Sequence, residues 1–517
     1  MISTFAGLNT MVAGVQTNRV ALNTVGHNIS NSSTEGYSRQ KISASATRSQ
    51  TIWGVYGPSQ IGTGVSVTSI ARARDIYADR QYWKEKTNDG YYNAKASNYS
   101  KLETIFNDSD DNGLQAAMTE FYQAWTDCST TASTSSSRQN VINKGYNFAE
   151  TLNAAAVQVQ EQIDGLYQEI ILSVENINSL TDQIVTLNRQ ILTIEADGSM
   201  ANDLRDERDL LVDKMSKIMH VSVSETEGGM YTLVSNGSTL VNGTTKVTLE
   251  VSEPINNAVY GISDYTISIR EAHTPYNPGN GELFAQIEAV QEDKEYLDRL
   301  ANMAAFLMTT LNDQHKAGYT LATDSSGQII AGDNFFGDTG TTYTWDATRL
   351  CMSDGTNEYR GVQIIKMLSV NEDLTRMDGH KLLATRSMGT DGVINGVADG
   401  SNAVWISTLF NCVKENTSSA VNTQTRSIGD DSFYSYYNTC MTTLGSSTEN
   451  MKNKVDFQAD LMTQIENLRE STSGVNWDEE LSNMIMFQQG YAACSRCLTT
   501  MDEMLDKLIN GTGTVGR

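Results

Sequence analysis

Both ends of this chain of 517 residues carry a single stripe of apolar side chains at helical spacing. The N-terminal stripe advances by three or four residues and comprises Phe5, Leu8, Val12, Val15, Leu22 and Ile29, with Arg19 and Gly26 at two further positions. The C-terminal stripe is unbroken and comprises Leu481, Met484, Phe487, Tyr491, Cys494, Leu498, Met501, Leu505 and Leu508. A helix with one apolar stripe is marginal when it stands alone in water. The pattern therefore predicts that the two terminal helices pair as a coiled coil.

The longest apolar repeat of the chain keeps heptad register from Leu152 to Ile194, and only Ser173 interrupts it. At about 1.5 Å per residue this segment predicts a rod of roughly 60 Å. Asp197 and Gly198 follow it as a C-cap. Further helices are predicted over about 282–315 and about 450–470. Such lengths favour an elongated helical bundle, which we call the stem.

Strand-like stretches lie between the helices. Stretches that begin at Val221, Tyr231 and Lys246 alternate or are rich in β-branched residues, and Asn236-Gly237 and Asn242-Gly243 are turn signals between them. Residues 320–400 show the pattern of short strands with many Gly and Asp turns. We therefore predict a mainly α protein with inserted β-rich domains, of the α+β class.

The predicted organisation is a helical stem with β-rich insertions on its outside. The predicted ranges are 1–70 for the N-terminal half of the terminal-helix domain, 71–220 for the first part of the stem, 221–280 for a β-rich segment, 281–319 for a stem helix, 320–400 for a variable outer β-rich insertion, 401–475 for the last part of the stem, and 476–517 for the C-terminal half of the terminal-helix domain.

The charge of the chain is unevenly distributed. The formal net charge of −25 argues against nucleic acid or an anionic membrane as the main partner. Residues 1–74 carry six basic side chains and one acid, whereas residues 456–510 carry ten acids and three bases. Opposite charges at the two ends favour pairing between them, within one molecule or between neighbours. Two solvated faces with no mutual contact are the alternative.

Targeting signals and membrane spans are not apparent in the sequence. The N-terminus lacks the basic and apolar regions of a signal peptide. No run approaches the roughly 20 apolar residues that span a bilayer. Six cysteines are too few for a disulfide scaffold in a chain of this length. The expectation is a protein made in the cytosol and exported, if at all, without a cleaved signal.

Motifs that carry chemistry are weak. The five histidines are far apart, so no zinc-binding pair can be drawn. Cys494 and Cys497 form a Cys-x-x-Cys pattern, but it lies late in a helix and Cys494 belongs to the apolar stripe. The segment that begins at Asp108 imitates an EF-hand loop, but Thr119 occupies the position of its bidentate Glu. We therefore predict no enzyme activity, no cofactor and no metal.

A distinctive motif follows the first predicted helix. Its positions are Asn28, Ile29, Asn31, Thr34, Gly36, Tyr37, Arg39 and Gln40. At these positions the chain resembles flagellar rod, hook and hook-associated proteins. Asn and Ser end the helix, and Gly36 allows a turn into an extended strand. His27 departs from the small or amide residue usual in the family. This motif by itself marks only the superfamily.

The C-terminal region is similar to the family of flagellar hook-associated protein 1. The similarity rests on residues 473–481, 487–491 and 501–505, with Trp477 in place of the usual aliphatic residue. Interior segments match in the same order, among them 105–107, 202–209, 281–283 and 312–315. The matching segments extend over about two-thirds of the chain, whereas residues 320–400 match nothing.

The resemblance implies a structural protein of the hook–filament junction that is secreted through the flagellar export channel. It implies a homo-oligomeric ring at the hook tip, with hook protein below, hook-associated protein 3 above, and a cytosolic export chaperone on the C-terminal helix. It implies no nucleic acid and no membrane as partner. The predicted assembly and partner-binding residues are Phe5, Leu8, Val12, Val15, Leu22, Asn28, Ile29, Gly36, Tyr37, Leu481, Tyr491, Leu498, Met501 and Leu505.

Three alternatives remain at this point. A hook or distal-rod protein of the same superfamily shares the N-terminal motif. An enzyme, for example a protease, carried in residues 320–400 is less favoured, because the histidines are scattered. A coiled-coil adhesin or signalling protein should show a signal peptide or a membrane span.

Overall fold

The computed structural model of the chain describes residues 5–54, 57–106, 113–226, 228–346, 348–411, 428 and 431–511. The EF-hand-like positions 108–112 and Cys412 lie outside these residues. The chain is about 60% helical with small β-sheets, in agreement with the predicted α+β class. No helix in the described part of the chain combines the length and apolar character that crossing a membrane requires.

Long helices form the frame of the molecule. The helices are α1 (Ala6–Ser30), α2 (Ile76–Phe106), α3 (Leu114–Thr130), α4 (Ser135–Glu195), α5 (Asn202–Ile218), α6 (Glu282–Phe306), α7 (Asn312–Lys316), α8 (Val362–Met367), α9 (Glu372–Thr375), α10 (Ser401–Leu409), α11 (Phe433–Ser473) and α12 (Trp477–Gly511). A π-helical turn, Leu307–Leu311, joins α6 to α7, so the helix predicted over 282–315 is one continuous element.

Helix α4 is longer than its heptads predicted. It has 61 residues and begins at Ser135, which corresponds to a rod of about 90 Å. The apolar positions continue upstream of Leu152 through Phe148 and Val141, with Gly145 between them. A side chain does not fit at Gly145, since a Cβ atom there would lie 2.6 Å from the Phe335 ring. Because glycine is not an apolar signal, Gly145 at a core position made the heptad repeat upstream of Leu152 unrecognisable in the sequence.

Helix α11 also begins earlier than predicted, at Phe433 instead of about 450. Its first turns bury Phe433, Tyr437 and Leu444. Ser, Thr and Asn fill most of the remaining positions there, which weakens the apolar signal. The helix therefore has 41 residues.

The β-structure is antiparallel and local. The strands are β1 (Gln40–Ala46), β2 (Gln50–Gly54), β3 (Gly57–Ile61), β4 (Val65–Arg72), β5 (Ser222–Glu225), β6 (Tyr231–Ser235), β7 (Ser238–Asn242), β8 (Thr245–Lys246), β9 (Leu249–Val251), β10 (Ile255–Asn257), β11 (Ile262–Asp264), β12 (Ile267–Ile269), β13 (Thr274–Pro275), β14 (Tyr319–Thr323), β15 (Ile329–Ala331), β16 (Thr344–Asp346), β17 (Cys351–Ser353) and β18 (Glu358–Tyr359). Strands β5 to β8 form a meander, β13-β12-β9 and β16-β17-β18 form three-stranded sheets, and the others pair in twos.

The turn signals of the meander are used as predicted. Asn236 and Gly237 both have positive φ, +43° and +82°, and form a two-residue turn between β6 and β7. The strand predicted from Lys246 is interrupted, because β8 ends at Lys246 and β9 begins at Leu249.

One hydrophobic core runs along α4 and includes side chains from most other elements. An aromatic cluster lies at one end of it, with Phe121 within 6.0 Å of the ring centroids of Phe148, Phe335, Phe336 and Phe410. Phe335 and Phe336 belong to the segment predicted as an outer insertion. That segment contains the predicted short strands, and it also contains α8 and α9, which its turn-rich sequence did not indicate.

Candidate assembly interface

The terminal helices α1 and α12 pack against each other in antiparallel orientation. Small residues allow the close approach. A Cβ atom built on the glycine would lie close to the partner side chain in three pairs: Gly7 and Met501 (2.8 Å), Gly14 and Cys494 (2.9 Å), and Gly490 and Asn18 (2.6 Å). From one pair to the next, the residue number on α1 increases by seven and then four, and the residue number on α12 decreases by the same amounts. The two ends of the chain are therefore held in a single register, while regular coiled-coil geometry stays a prediction.

The predicted stripe residues differ in burial. On α1, Leu8, Val12, Val15, Leu22 and Ile29 are half-buried, and Asn28 is fully buried. On α12, Leu498, Met501 and Leu505 are half-buried. Phe5, Leu481 and Tyr491 are exposed, at 51%, 42% and 38%. The stripes thus face the partner helix only in part.

Several apolar side chains of α12 face solvent, distributed around the helix. They include Ile485, Met486, Met504, Leu508 and Ile509, each more than half exposed. Glu480 is the one buried residue of the helix among those described.

Asn28 joins the two ends of the chain at the base of the helix pair. We call the contacts among Asn28, Tyr37, Arg39, Glu479 and Glu480 the junction of the chain ends. Its Nδ2 donates to the carbonyl of Gln40 (2.9 Å) and to Glu480 Oε2 (3.1 Å). Its Oδ1 accepts from the Gln40 N–H (2.9 Å) and from the Tyr37 hydroxyl (2.8 Å). Both donors and both lone pairs of this buried amide are satisfied, so the side chain fixes one geometry.

Arg39 closes the same junction from the other side. Its Nε donates to Glu480 Oε1 at 2.7 Å, and its two Nη atoms bind Glu479 in a bidentate pair at 2.9 and 2.6 Å. The bond to Glu479 raises the pKa of Arg39 and lowers the pKa of Glu479. The Arg39 N–H donates to the Ser473 carbonyl (2.8 Å), so this residue also holds the link between α11 and α12.

Gly36 and Tyr37 form the turn that returns the chain to this junction. Gly36 has φ of +79°, and a Cβ atom there would lie 3.1 Å from Leu210 Cβ on α5. Burial, with nearby Asp203 and Asp206, raises the pKa of Tyr37, so its hydroxyl stays protonated and donates to Asn28. The turn predicted at Gly36 is confirmed.

The two residues that depart from the family pattern also make contacts at this junction. His27 Nδ1 lies 3.0 Å from the Tyr37 hydroxyl. Trp477 Nε1 donates to Ser32 Oγ at 2.9 Å. His27 and Trp477 therefore each make a polar contact that ties α1 or the turn after it to the junction.

An arginine–aspartate cluster attaches this junction to the stem. Arg72 Nη1 lies 2.7 Å from Asp206 and from Asp209, and Arg74 Nη1 lies 2.8 Å from Asp209. Burial by itself raises the pKa of Asp209, but Arg74 and Arg72 outweigh it and the pKa is lowered. Asp209 is therefore ionised at neutral pH.

Arg469 brings α11 into the same cluster. It lies 2.9 Å from Asp79 at the start of α2 and 2.7 Å from Asp213 on α5. Burial raises the pKa of Asp213. Four separate parts of the chain meet here: the end of β4, α2, α5 and α11.

Sequence reasoning named Asn28, Gly36 and Tyr37 but missed Glu480 and the arginine–aspartate cluster. The one sequence signal for these ion pairs was the opposite net charge of the two chain ends. That signal indicates that the ends pair, but it does not identify which residues form the ion pairs. The pairing occurs within one molecule through Arg39 and Glu480. Arg72 and Arg74 bind acids of the interior segment 202–209 instead.

Of the two residues in the Cys-x-x-Cys pattern, Cys494 packs against α1. Cys494 Sγ faces Gly14, and Cys497 is exposed. In the described part of the chain no group of three or more His, Cys, Asp or Glu side chains is arranged to hold a metal ion.

Comparisons with protein families match two regions of the chain. Residues 99–336 match the helical domain of flagellar hook-associated protein FlgK. Residues 469–511 match the C-terminal region of flagellar basal body rod FlgEFG proteins. The second region contains Glu480 and all of α12.

Several curated proteins named flagellar hook-associated protein 1 are similar over the whole chain. The protein of Bacillus subtilis is 28% identical and is aligned over 100% of both chains. The protein of Escherichia coli is 26% identical over 97% of this chain and 99% of its own. The protein of Salmonella typhimurium is 25% identical with the same coverage.

A solved structure shares the fold. The flagellar hook junction protein FlgK from Burkholderia pseudomallei superposes with a TM-score of 0.57 at 15% identity, over 76% of this chain and 100% of that chain. At this identity the likeness concerns the fold alone.

Proposed function

We propose that the chain belongs to the family of flagellar hook-associated protein 1 and is a structural component of the bacterial flagellum that joins the hook to the filament. The observation that carries this proposal is similarity over the full length of relatives with that name, including the ends that form the α1–α12 pair.

The exposed apolar surface of α12 supports assembly with further chains. An isolated chain leaves Ile485, Met504 and Ile509 open to water. In the proposed assembly, copies of the chain form a ring at the hook tip and cover these side chains. The terminal helices, paired as a coiled coil, line the inner tube, the stem packs around them, and residues 320–400 face outward.

The exposed members of the C-terminal stripe, Leu481, Tyr491 and Leu508, support a need for protection before assembly. A cytosolic export chaperone would cover the C-terminal stripe, and the chain would leave the cell unfolded through the flagellar export channel without a cleaved signal. Hook protein below and hook-associated protein 3 above are the proposed neighbours. We propose neither enzyme activity nor a cofactor.

A hook or distal-rod protein of the same superfamily is the second candidate. The match of residues 469–511 to rod proteins is compatible with both candidates, since that region alone does not separate the two. The match of residues 99–336 to the FlgK helical domain favours the junction protein, because it covers the part of the stem from the end of α2 to α7.

Electron microscopy of cells that lack this gene tests the proposal. We expect hooks of normal shape without filaments, and flagellin released into the medium. Restoring the gene on a plasmid should restore filaments. Missing or misshapen hooks would place the protein in the hook or rod, and intact filaments would contradict the proposal altogether.

A further inference from the structure

The strands β1–β4 form one long hairpin that stands apart from the other sheets. β1 pairs with β4 and β2 with β3, and the Thr47 N–H donates to the Gly64 carbonyl (3.0 Å) between the two pairs. No third strand pairs with either edge in the described residues. Its lower part lies on α1, where a Cβ atom on Gly64 would be 3.4 Å from Ala13 Cβ. A two-stranded ribbon is marginal in water, so its far end needs another surface.

Trp53 lies at that far end and is 82% exposed. It stands opposite Pro58 across the ribbon, and Ile61 on the returning strand is 41% exposed. Tryptophan buries up to about 250 Å² and is enriched among residues that carry most of the energy of an interface. Its exposure in one chain therefore points to a contact made with another.

The hairpin is basic. Residues 40–72 contain no Asp or Glu. Lys41 and Arg48 are exposed, and neither forms an ion pair with another described residue. The surface that receives the hairpin should therefore be both apolar and acidic.

The outer face of α11 has this character. Phe457 and Leu468 are 69% and 52% exposed. Asp456 and Asp460 flank Phe457, are exposed, and form no ion pair within the described chain. We call these four residues the Phe457 face.

The bases of α11 point away from the Phe457 face. Lys452 Nζ lies 3.9 Å from Glu103, and Lys454 Nζ lies 5.5 Å from the Tyr92 ring, both on α2. The opposite side of α11 packs on α2, where Gln458 donates to the Glu85 carbonyl (2.9 Å). The Phe457 face is thus left to solvent with its negative charge uncompensated.

We propose that the Trp53 hairpin of one copy docks on the Phe457 face of α11 in a neighbouring copy. This inference rests on the proposed function, which supplies a ring of identical chains. A ring needs two different, complementary surfaces on every copy, and the basic aromatic hairpin and the acidic apolar helix face form such a pair. Trp53 would cover Phe457, and the positive charge of the hairpin, which Lys41 and Arg48 carry, would attract the carboxylates of Asp456 and Asp460.

Cross-linking between two tagged copies tests the contact. Cells that lack the native gene express one copy with Trp53→Cys and a second, differently tagged copy with Phe457→Cys. Flagella isolated from these cells are treated with a short bis-maleimide. We expect a cross-link that joins the two tags. A matched control replaces Phe457→Cys by Leu172→Cys, since Leu172 on α4 is 63% exposed but lies outside the proposed contact, and it should give none.

Charge reversal gives an independent readout. Arg48→Glu or Trp53→Ser is expected to reduce the number of filaments per cell about tenfold, because each removes a central contact of the interface. Adding Asp456→Arg and Asp460→Arg to the Arg48→Glu chain should restore filaments. Circular dichroism of each purified variant checks that the stem is folded.

Specific results would overturn this docking. Absence of the 53–457 cross-link in flagella that contain both tagged copies would overturn it, as would a cross-link formed within one isolated chain. Normal filament number in both Trp53→Ser and Arg48→Glu would also overturn it. These outcomes leave the proposed function intact as long as deletion of the gene still removes filaments, so the two failures are distinguishable.

Discussion

At the residue scale, the junction between the two chain ends depends on one fully satisfied amide and one buried ion pair. Asn28 and Glu480 are each 1% exposed. Glu480 accepts hydrogen bonds from both Asn28 and Arg39. It therefore links α12 to α1 and to the turn that follows α1. The sequence indicated Asn28 through the family motif. It did not indicate Glu480, because acids in the first turn of a helix are common and are usually exposed.

The two glutamates that bind Arg39 should differ strongly in their contribution to stability. Glu480→Gln leaves a buried guanidinium without its buried counter-charge, and we expect it to cost roughly 3 kcal/mol. Glu479, whose side chain is 54% exposed, is the matched control, and Glu479→Gln should cost less than about 1 kcal/mol. Hydrogen exchange of α1 and α12 in the purified chain measures both. Equal effects would contradict the assignment of Glu480 as the central residue of the junction.

His315 should make the stem sensitive to acid. Its Nδ1 lies 2.5 Å from the Asp333 carbonyl, and its Nε2 accepts from the Ala384 N–H (2.9 Å). Burial lowers the pKa of His315 to about 4, whereas the unfolded chain has a value of about 6.5. Between these values the unfolded chain binds more protons, so stability falls by about 3 kcal/mol as the pH drops from 6.5 to 4.

Urea unfolding at several pH values compares the native chain with His315→Gln, which can keep both hydrogen bonds. The variant should show the flatter pH dependence over this window. Burial raises the pKa of Asp293 to about 7, and this opposite trend is present in both chains, so it cancels in the comparison. Parallel curves would exclude His315 as the acid-sensitive group.

At the element scale, periodicity identified the long helices and the type of each strand region, but boundaries failed where side-chain chemistry broke the pattern. Gly145 and the polar first turns of α11 are two such places. In both, tertiary contacts are made where the apolar pattern breaks: the Phe335 ring lies against Gly145, and Phe433 is buried in the core. The hairpin turn at Asn236-Gly237 was predictable because those residues specify the turn locally.

The spacing between α1 and α12 should depend on glycine at position 14. Gly14→Val forces a side chain towards Cys494 Sγ, and we expect it to destabilise the pair by about 1–2 kcal/mol. Gly26→Ala on the same helix is the matched control. It meets no atom within 4 Å and should stabilise α1 by roughly 0.5–1 kcal/mol.

Cys494→Gly, added to Gly14→Val, makes room for the new side chain and should recover part of the loss. Thermal unfolding followed by circular dichroism compares the variants. A neutral Gly14→Val would mean that the helices are not held at this distance.

The apolar face of α12 should be required for assembly but not for folding of the stem. Leu498→Asp or Leu505→Asp is expected to abolish chaperone binding and ring assembly. Co-purification with the chaperone and filament counts measure these effects, and circular dichroism checks the stem. Unchanged assembly would refute the assignment of these residues to the interface.

At the scale of the whole molecule, the charge pattern was informative about pairing but not about its partners. Arg39 pairs with the C-terminal acids as the opposite charges suggested. Arg72 and Arg74 pair instead with Asp206 and Asp209 in the middle of the chain. Such contacts join positions more than 130 residues apart, and no local pattern specifies them. The fold class was therefore predictable, whereas the attachment of the terminal helices to the stem was not.

Cryo-electron microscopy of the hook–filament junction would locate the chain in the assembled flagellum. We expect a ring of this chain between hook and filament, with α1 and α12 at the inner wall and the stem outside them. A ring of another protein at that position, or this chain located within the rod or hook, would contradict this expectation.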